Sequence, residues 1–115
     1  MTFEIEELEG QVAVAKVSGR LDTLTAPDFS AQALAAIDAG HTRLVFDLSQ
    51  VEYVSSAGLK AFLAAAKHAD AQGGAVALCA LQEPVERVFR VAGFDAFLDL
   101  CTSSDEAARQ VEPQD

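Results

Sequence analysis

Two adjacent serines, Ser55 and Ser56, stand where an apolar run gives way to a helical pattern, and they are the residues best placed to take part in chemistry. Leu44-Val-Phe-Asp-Leu48 reads as a short buried strand, while Leu59, Phe62, Leu63 and Ala66 recur at the spacing of one helix face. A second helix is therefore expected to start near Ser55 or Ser56. Free backbone N–H groups and the positive end of the helix dipole make such a position receptive to negative charge. A phosphate placed there would add about −1.5 to −2 charge and change the surface that a partner meets. A plain helix cap, worth about 1 kcal/mol, suits the same position. Gly58 leaves two readings open, because a glycine in a first turn costs up to about 1 kcal/mol against alanine and invites either close helix packing or the close approach of a partner.

The other reactive residues do not assemble into a catalytic set. The sequence has no Walker A loop, no GxGxxG and no GxSxG elbow, and neither His41 nor His68 has HExxH or other metal-ligand spacing. Both histidines read as solvated. Cys79 and Cys101 lie in apolar stretches with no CxxC pattern and read as buried free thiols. Glu4, Glu6, Glu7 and Glu9 read as a charged strand edge that discourages aggregation rather than as an acid–base pair. No enzyme activity, catalytic residue, metal or cofactor is expected, and a small hydrolase would need a base brought to a serine by the fold.

Composition narrows the class further. The 115 residues fit one domain, and with 50% hydrophobic residues the chain has material for a core without staples. A net charge of −10 repels nucleic acid and anionic membranes, and favours either docking on a basic protein patch or mere solubility. The acidic start Met1-Thr-Phe-Glu-Ile-Glu-Glu7 is unlike a signal peptide. No apolar stretch approaches the ~20 residues of a membrane span, so neither membrane insertion nor nucleic-acid binding is expected and the cytoplasm is the expected location.

The elements that must position the serines follow from the same patterning. Phe3 and Ile5, then Val12 to Val17, predict a hairpin around Glu9-Gly10. Thr25-Ala-Pro-Asp28 predicts a helix with Phe29, Ala33, Ala36 and Ile37 on one face, ended by Gly40. The strand Leu44–Leu48, a short connection and the helix through Ala66 to Gly73-Gly74 come next, followed by a strand over Val76–Cys79. Pro84 opens a helix carrying Val85, Val88, Phe89 and Ala92 inward, Phe97–Leu100 is a final strand, and Ser103-Ser-Asp-Glu106 caps a last helix to about Val111. Strands alternating with helices predict an α/β fold with a mostly parallel sheet, one domain over residues 1–112 and a frayed tail at 113–115.

Three segments resemble the STAS domains of bacterial anti-sigma factor antagonists. Gly19-Arg-Leu-Asp-Thr-Leu-Thr-Ala26 resembles the family's G-x-L-D-x-x-T-A turn, and Asp47-Leu-Ser-Gln-Val-Glu-Tyr-Val-Ser-Ser-Ala-Gly-Leu59 its D-L-S-x-V-x-x-[IVM]-D-S-[ST]-G-L. Val85-Glu-Arg-Val-Phe-Arg-Val-Ala-Gly-Phe94 is similar to the helix and glycine turn near the family's C-terminal end. The resemblance implies a STAS fold: a mixed, mostly parallel sheet of four to five strands with about four helices, one layer of helical cover and a terminal helix. It places the phosphoacceptor on Ser56, with Ser55 as a competing acceptor, and a partner-binding surface on Asp22, Thr23, Ser55, Ser56, Ala57, Gly58 and Leu59. Ser55 stands where the family has aspartate, and Ala57 where it has serine or threonine. The implied partners are an anti-sigma factor with a GHKL-type serine kinase fold, which the unphosphorylated domain would hold and so free a sigma factor, and a PP2C-type phosphatase. The departures at Ser55 and Ala57 suit an alternative, a docking subunit of a membrane transport or sensory complex that is never phosphorylated.

Overall fold

Alternating apolar and amphipathic segments build one five-stranded sheet with strand order β1-β2-β3-β4-β5. The computed structural model describes residues 1–113. The strands are β1 (Thr2–Glu7), β2 (Ala13–Leu21), β3 (Arg43–Val54), β4 (Ala75–Cys79) and β5 (Asp99–Cys101). The helices are α1 (Ala26–Asp38), α2 (Ser56–Ala71), α3 (Glu83–Val91) and α4 (Ser104–Val111), with a single 3-10 turn at Phe94–Ala96. β1 runs antiparallel to β2, and all other neighbours are parallel. This is the mixed, mostly parallel architecture that the resemblance implies.

Strand alternation splits the core between the two faces of the sheet. Ala13, Ala15 and Val17 on β2 and Leu44 and Phe46 on β3 meet Phe29, Phe62 and Phe89 from α1, α2 and α3. Val12 and Val14, with Val45, Ala77, Cys79 and Cys101, turn to the other face, where Ala107 and Val111 of α4 cover them. One face therefore carries three helices and the other the short terminal helix. Five phenylalanines run through the larger core, with ring centroids 5.9 Å apart for Phe3–Phe29, 4.7 Å for Phe29–Phe62, 5.4 Å for Phe46–Phe62 and 5.6 Å for Phe62–Phe89. Tilted and edge-on pairs of this kind add about 0.5–1.5 kcal/mol each beyond the area they bury.

The structure corrects several expected boundaries. β3 does not end at Leu48 but continues to Val54, paired with β2 through Gly19↔Val51, Arg20↔Tyr53 and Leu21↔Val54. Bulges between Lys16 and Ser18 and between Gly19 and Arg20 shift the register, so Leu48, Val51 and Val54 all face the core at a spacing of three. A strict period of two hides such a strand. The final strand is Asp99–Cys101 rather than Phe97–Leu100, because Phe94–Ala96 forms the 3-10 turn and leaves Phe97 71% exposed. In α3 only Val85 and Phe89 are buried, while Val88 and Ala92 are exposed. The expected frayed tail falls largely on residues 114 and 115, which lie outside the described residues. Among the described residues, no helix is long and apolar enough to cross a membrane.

Candidate functional site

The two serines at the head of α2 have different tasks. Ser55 has extended backbone angles (φ −85°, ψ 174°) and is the N-cap, its Oγ accepting a hydrogen bond from the Gly58 N–H at 3.3 Å. Its backbone N–H donates to the Leu21 carbonyl at 2.8 Å and its carbonyl accepts from the Leu59 N–H at 2.9 Å. Ser55 is thus half-buried and its hydroxyl committed to the helix end. Ser56, the first residue of α2, is exposed. Its hydroxyl stands in the first turn, where unpaired N–H groups and the helix dipole favour added negative charge.

What lies beneath fixes this display. Gly58 is buried, and a Cβ on it would lie 2.9 Å from Val54 Cγ1 and 3.0 Å from the Leu21 carbonyl oxygen. The glycine therefore serves close packing of α2 on the ends of β2 and β3, the first of the two readings left open by sequence. Leu59 is 4% exposed and belongs to the core. Gly58 and Leu59, expected in the partner-binding surface, are both buried, and their visible part is to seat the helix.

The β2–α1 turn forms the neighbouring wall. The Asp22 carboxylate accepts hydrogen bonds from the backbone N–H groups of Leu24 and Thr25, each at 3.0 Å. The Thr25 hydroxyl does not cap α1; it donates to the Arg20 carbonyl at 2.6 Å and accepts from the Asp22 N–H at 3.0 Å. The Thr25 N–H bond is the main cause that holds the Asp22 carboxyl below its ordinary value, with the Leu24 N–H, the Thr25 hydroxyl and the Arg20 charge adding to it against some desolvation. Half-buried Asp22 is thereby the organiser of the turn, and Thr23 stands exposed beside it. A shallow, mainly apolar groove separates the turn and α1 from α2, lined by Thr23, Pro27 and Ser30 on one side and by Ala57, Lys60 and Ala64 on the other.

Of the seven expected contact residues, Thr23 and Ser56 are exposed and Asp22, Ser55 and Ala57 half-buried around one end of the sheet. Four further residues escaped sequence reasoning. Leu24 is 89% exposed at the tip of the turn and Tyr53 is 41% exposed at the end of β3. The Arg20 guanidinium lies over the Tyr53 ring, 4.4 Å from its centroid, and Lys60 stands exposed one turn along α2 from Ser56. The available signal was Leu24 itself, an apolar residue in the middle of a polar turn motif.

The remaining reactive groups have structural surroundings. His68 and His41 are half-buried rather than solvated: His68 Nε2 lies 2.7 Å from Asp38 Oδ1, joining α2 to α1, and His41 Nδ1 lies 3.9 Å from Glu7. Cys79 and Cys101 are buried free thiols, opposite one another across β4 and β5. Burial, foremost, pushes their thiols up to about 12 and about 11. Among the described residues, no group of three His, Cys, Asp or Glu side chains is placed to hold a metal ion.

With this geometry in hand, comparison with known proteins is specific. The STAS domain profile matches residues 3–107. A protein of Bordetella bronchiseptica, BtrV, named provisionally as an anti-sigma factor antagonist, is 32% identical over 108 residues, which cover 94% of this chain and 92% of BtrV. The crystal structure of an anti-sigma factor antagonist from Mycobacterium paratuberculosis superimposes with a TM-score of 0.81 at 30% identity, covering 96% of this chain and 92% of that one. The phosphorylated form of the Bacillus cell fate determinant SpoIIAA shares the fold, with a TM-score of 0.70 at 19% identity over 95% of this chain and 98% of that one.

Proposed function

This chain belongs to the STAS domain family, with anti-sigma factor antagonists as its relatives, and on that footing we propose that it is a phosphorylation-controlled antagonist switched at Ser56. In the unphosphorylated form the domain binds an anti-sigma factor through the surface around the head of α2, and the sigma factor goes free. The anti-sigma factor, of GHKL-type serine kinase fold, transfers the γ-phosphoryl group of ATP to Ser56 Oγ; the hydroxyl proton leaves to solvent or a kinase base and ADP departs. A PP2C-type phosphatase hydrolyses the phosphoserine and returns the domain to its binding form. The role is one of binding in the cytoplasm, with the catalysis supplied by the partners.

The observation that carries this reading is the division of labour between the serines. Ser55 closes the helix with its hydroxyl, and Ser56 presents an exposed one in the first turn. Charge arriving on Ser56 leaves the cap intact and alters only the surface. Turning such an equilibrium from almost all bound to almost all free needs about 5.5 kcal/mol of differential affinity. Phosphate forced into a contact that must desolvate it supplies that by repulsion and lost hydration. That a protein of this fold exists in a phosphorylated form supports the reading.

The test is incubation of the chain with its kinase-fold anti-sigma factor and ATP, followed by mapping of the modified residue by mass spectrometry. Phosphate on Ser56, absent from Ser56→Ala, is the expected result. Phosphate on Ser55 would reassign the acceptor, and no phosphate on either would overturn the switch. Co-purification with a membrane transporter in place of a kinase and sigma factor would overturn the partner assignment.

A further inference from the structure

The chain carries eight basic residues against eighteen acidic ones, so where a cation is left without an acidic neighbour is informative. Among the described residues, three of the eight are bonded and three more have an acid at strand-register or helical spacing. Arg87 is paired with Glu83, and Arg90 with Glu86 and Asp95. Arg43 donates to the carbonyls of Val111 and Gly73, at 2.8 and 3.1 Å. Lys16 stands opposite Glu4 on one side and Asp47 on the other in the strand register, while Lys67 and Arg109 each have an aspartate within one helical turn, Asp70 and Asp105.

Arg20 and Lys60 differ. The register neighbour of Arg20 on β3 is Tyr53. Asp22, two residues on, feels the Arg20 charge, but its carboxylate is hydrogen-bonded to the N–H groups of Leu24 and Thr25 and forms no ion pair with Arg20 among the described residues. At helical spacing from Lys60 stand Ser56, Ala57, Leu63 and Ala64, none of them acidic. Both cations are exposed, and both border the Ser56 region: Arg20 precedes the residue whose carbonyl holds the Ser55 N–H, and Lys60 is one turn from Ser56. The Arg20 guanidinium lies over Tyr53, 4.4 Å from its centroid, and among the described residues its N–H groups make no hydrogen bond, so they are available to a carboxylate. Arginine and tyrosine, stacked here at the end of the sheet, are also residue types enriched in protein–protein contacts.

We infer that Arg20 and Lys60 are the charged anchors of the partner-binding surface and fit a partner face that presents carboxylates, the opposite of what the net charge of −10 suggests. The inference rests on the proposed partner switch and deepens it. Phosphate on Ser56 stands one turn from Lys60, the spacing at which helix side chains pair, so it takes up that ammonium within the chain. The same phosphate repels the carboxylates that the ammonium would have met. One added group thus withdraws an attraction and creates a repulsion.

The experiment measures affinity of the unphosphorylated chain for its kinase-fold anti-sigma factor by calorimetry. It compares wild type with Arg20→Glu, Lys60→Glu and, on the remote helix α4, Arg109→Glu, with circular dichroism as the check that each variant is folded. Charge reversal at Arg20 or at Lys60 is expected to weaken binding by about tenfold or more, and Arg109→Glu to leave it unchanged. Wild-type affinity is expected to fall between about 50 and 300 mM salt. Unchanged or tighter binding by the folded Arg20→Glu and Lys60→Glu variants overturns the inference and leaves the proposed switch standing. A wild-type chain that neither binds nor accepts phosphate overturns both.

Discussion

The backbone N–H of Ser55 donates to the carbonyl of Leu21 at 2.8 Å, so the last residue of β2 holds the N-cap of α2 in place. That bond explains how one helix can offer two adjacent serines in different states. Ser55 is fixed through its backbone by β2 and through its hydroxyl by Gly58, and the next residue is carried out to solvent.

The serines are therefore separable by stability. Ser55→Ala removes the acceptor for the Gly58 N–H and is expected to cost about 1 kcal/mol, a fall of roughly 4 °C in Tm for a domain of this size. Ser56→Ala removes an exposed hydroxyl and is expected to stay within about 0.5 kcal/mol of wild type. Thermal melts decide it: an equal or larger loss in Ser56→Ala would mean that the cap has been assigned to the wrong serine.

Close packing at two glycines gives a second expectation. A methyl on Gly58 meets Val54 Cγ1 at 2.9 Å and backbone at Leu21. Overpacking there, about 1–3 kcal/mol, outweighs the gain of up to about 1 kcal/mol that alanine brings to a helix. Gly74→Ala should be worse, since its Cβ would fall 1.9 Å from the Thr42 carbonyl oxygen, which also accepts the Ala75 N–H at 2.9 Å. Urea titrations should rank stability as wild type, then Gly58→Ala, then Gly74→Ala; a stabilised Gly58→Ala would contradict the packing described.

Asp22 ties pH to the turn beside Ser56. Its carboxyl is held below the ordinary carboxylate value, chiefly by the Thr25 N–H. A carboxylate with a depressed folded value contributes stability that is complete above the unfolded value of about 3.9 and is lost as pH falls through the folded one. Asp22→Asn keeps an acceptor for the Leu24 and Thr25 N–H groups and should fold normally while shedding that acid-side dependence. Asp22→Ala should destabilise at every pH. Equal melting of the two variants at pH 7 would show that the turn does not need the acceptor.

Sequence patterning located the helices well because Phe29, Phe62 and Phe89 repeat at helical spacing with their neighbours, and because prolines and glycines bracket α1 and α3. The head of α2 was legible for the same reason. The extension of β3 to Val54 was not, since two bulges replace alternation by a spacing of three. Nor was the Arg20–Tyr53 stack, which exists only through the register that those bulges create. The tasks of Ser55 and Ser56 could not be divided by spacing, because one residue along the chain decides which hydroxyl turns back to the helix end. Gly58 likewise needed the positions of Leu21 and Val54, 37 and four residues away in sequence, before packing could be chosen over partner approach.

The two cysteines provide a test of the smaller core under α4. Cys79 and Cys101 face each other across β4 and β5, beneath Ala107 and Val111. Burial raises their thiols to about 12 and about 11, against about 8.5 in an unfolded chain. The neutral thiol is therefore favoured by folding. This contribution is complete below the unfolded value and is lost as pH rises from about 8.5 toward the folded values. Stability should accordingly decline above about pH 9, and Cys79→Ala with Cys101→Ala should flatten that decline even though the small cavities they leave lower stability at neutral pH. The thiolate is the reactive species, so at pH 8 a thiol reagent should label the native chain far more slowly than the chain unfolded in guanidinium, where both thiols react. Fast labelling of both thiols in the native protein, under conditions where circular dichroism shows it folded, would mean that α4 does not hold its place on the sheet.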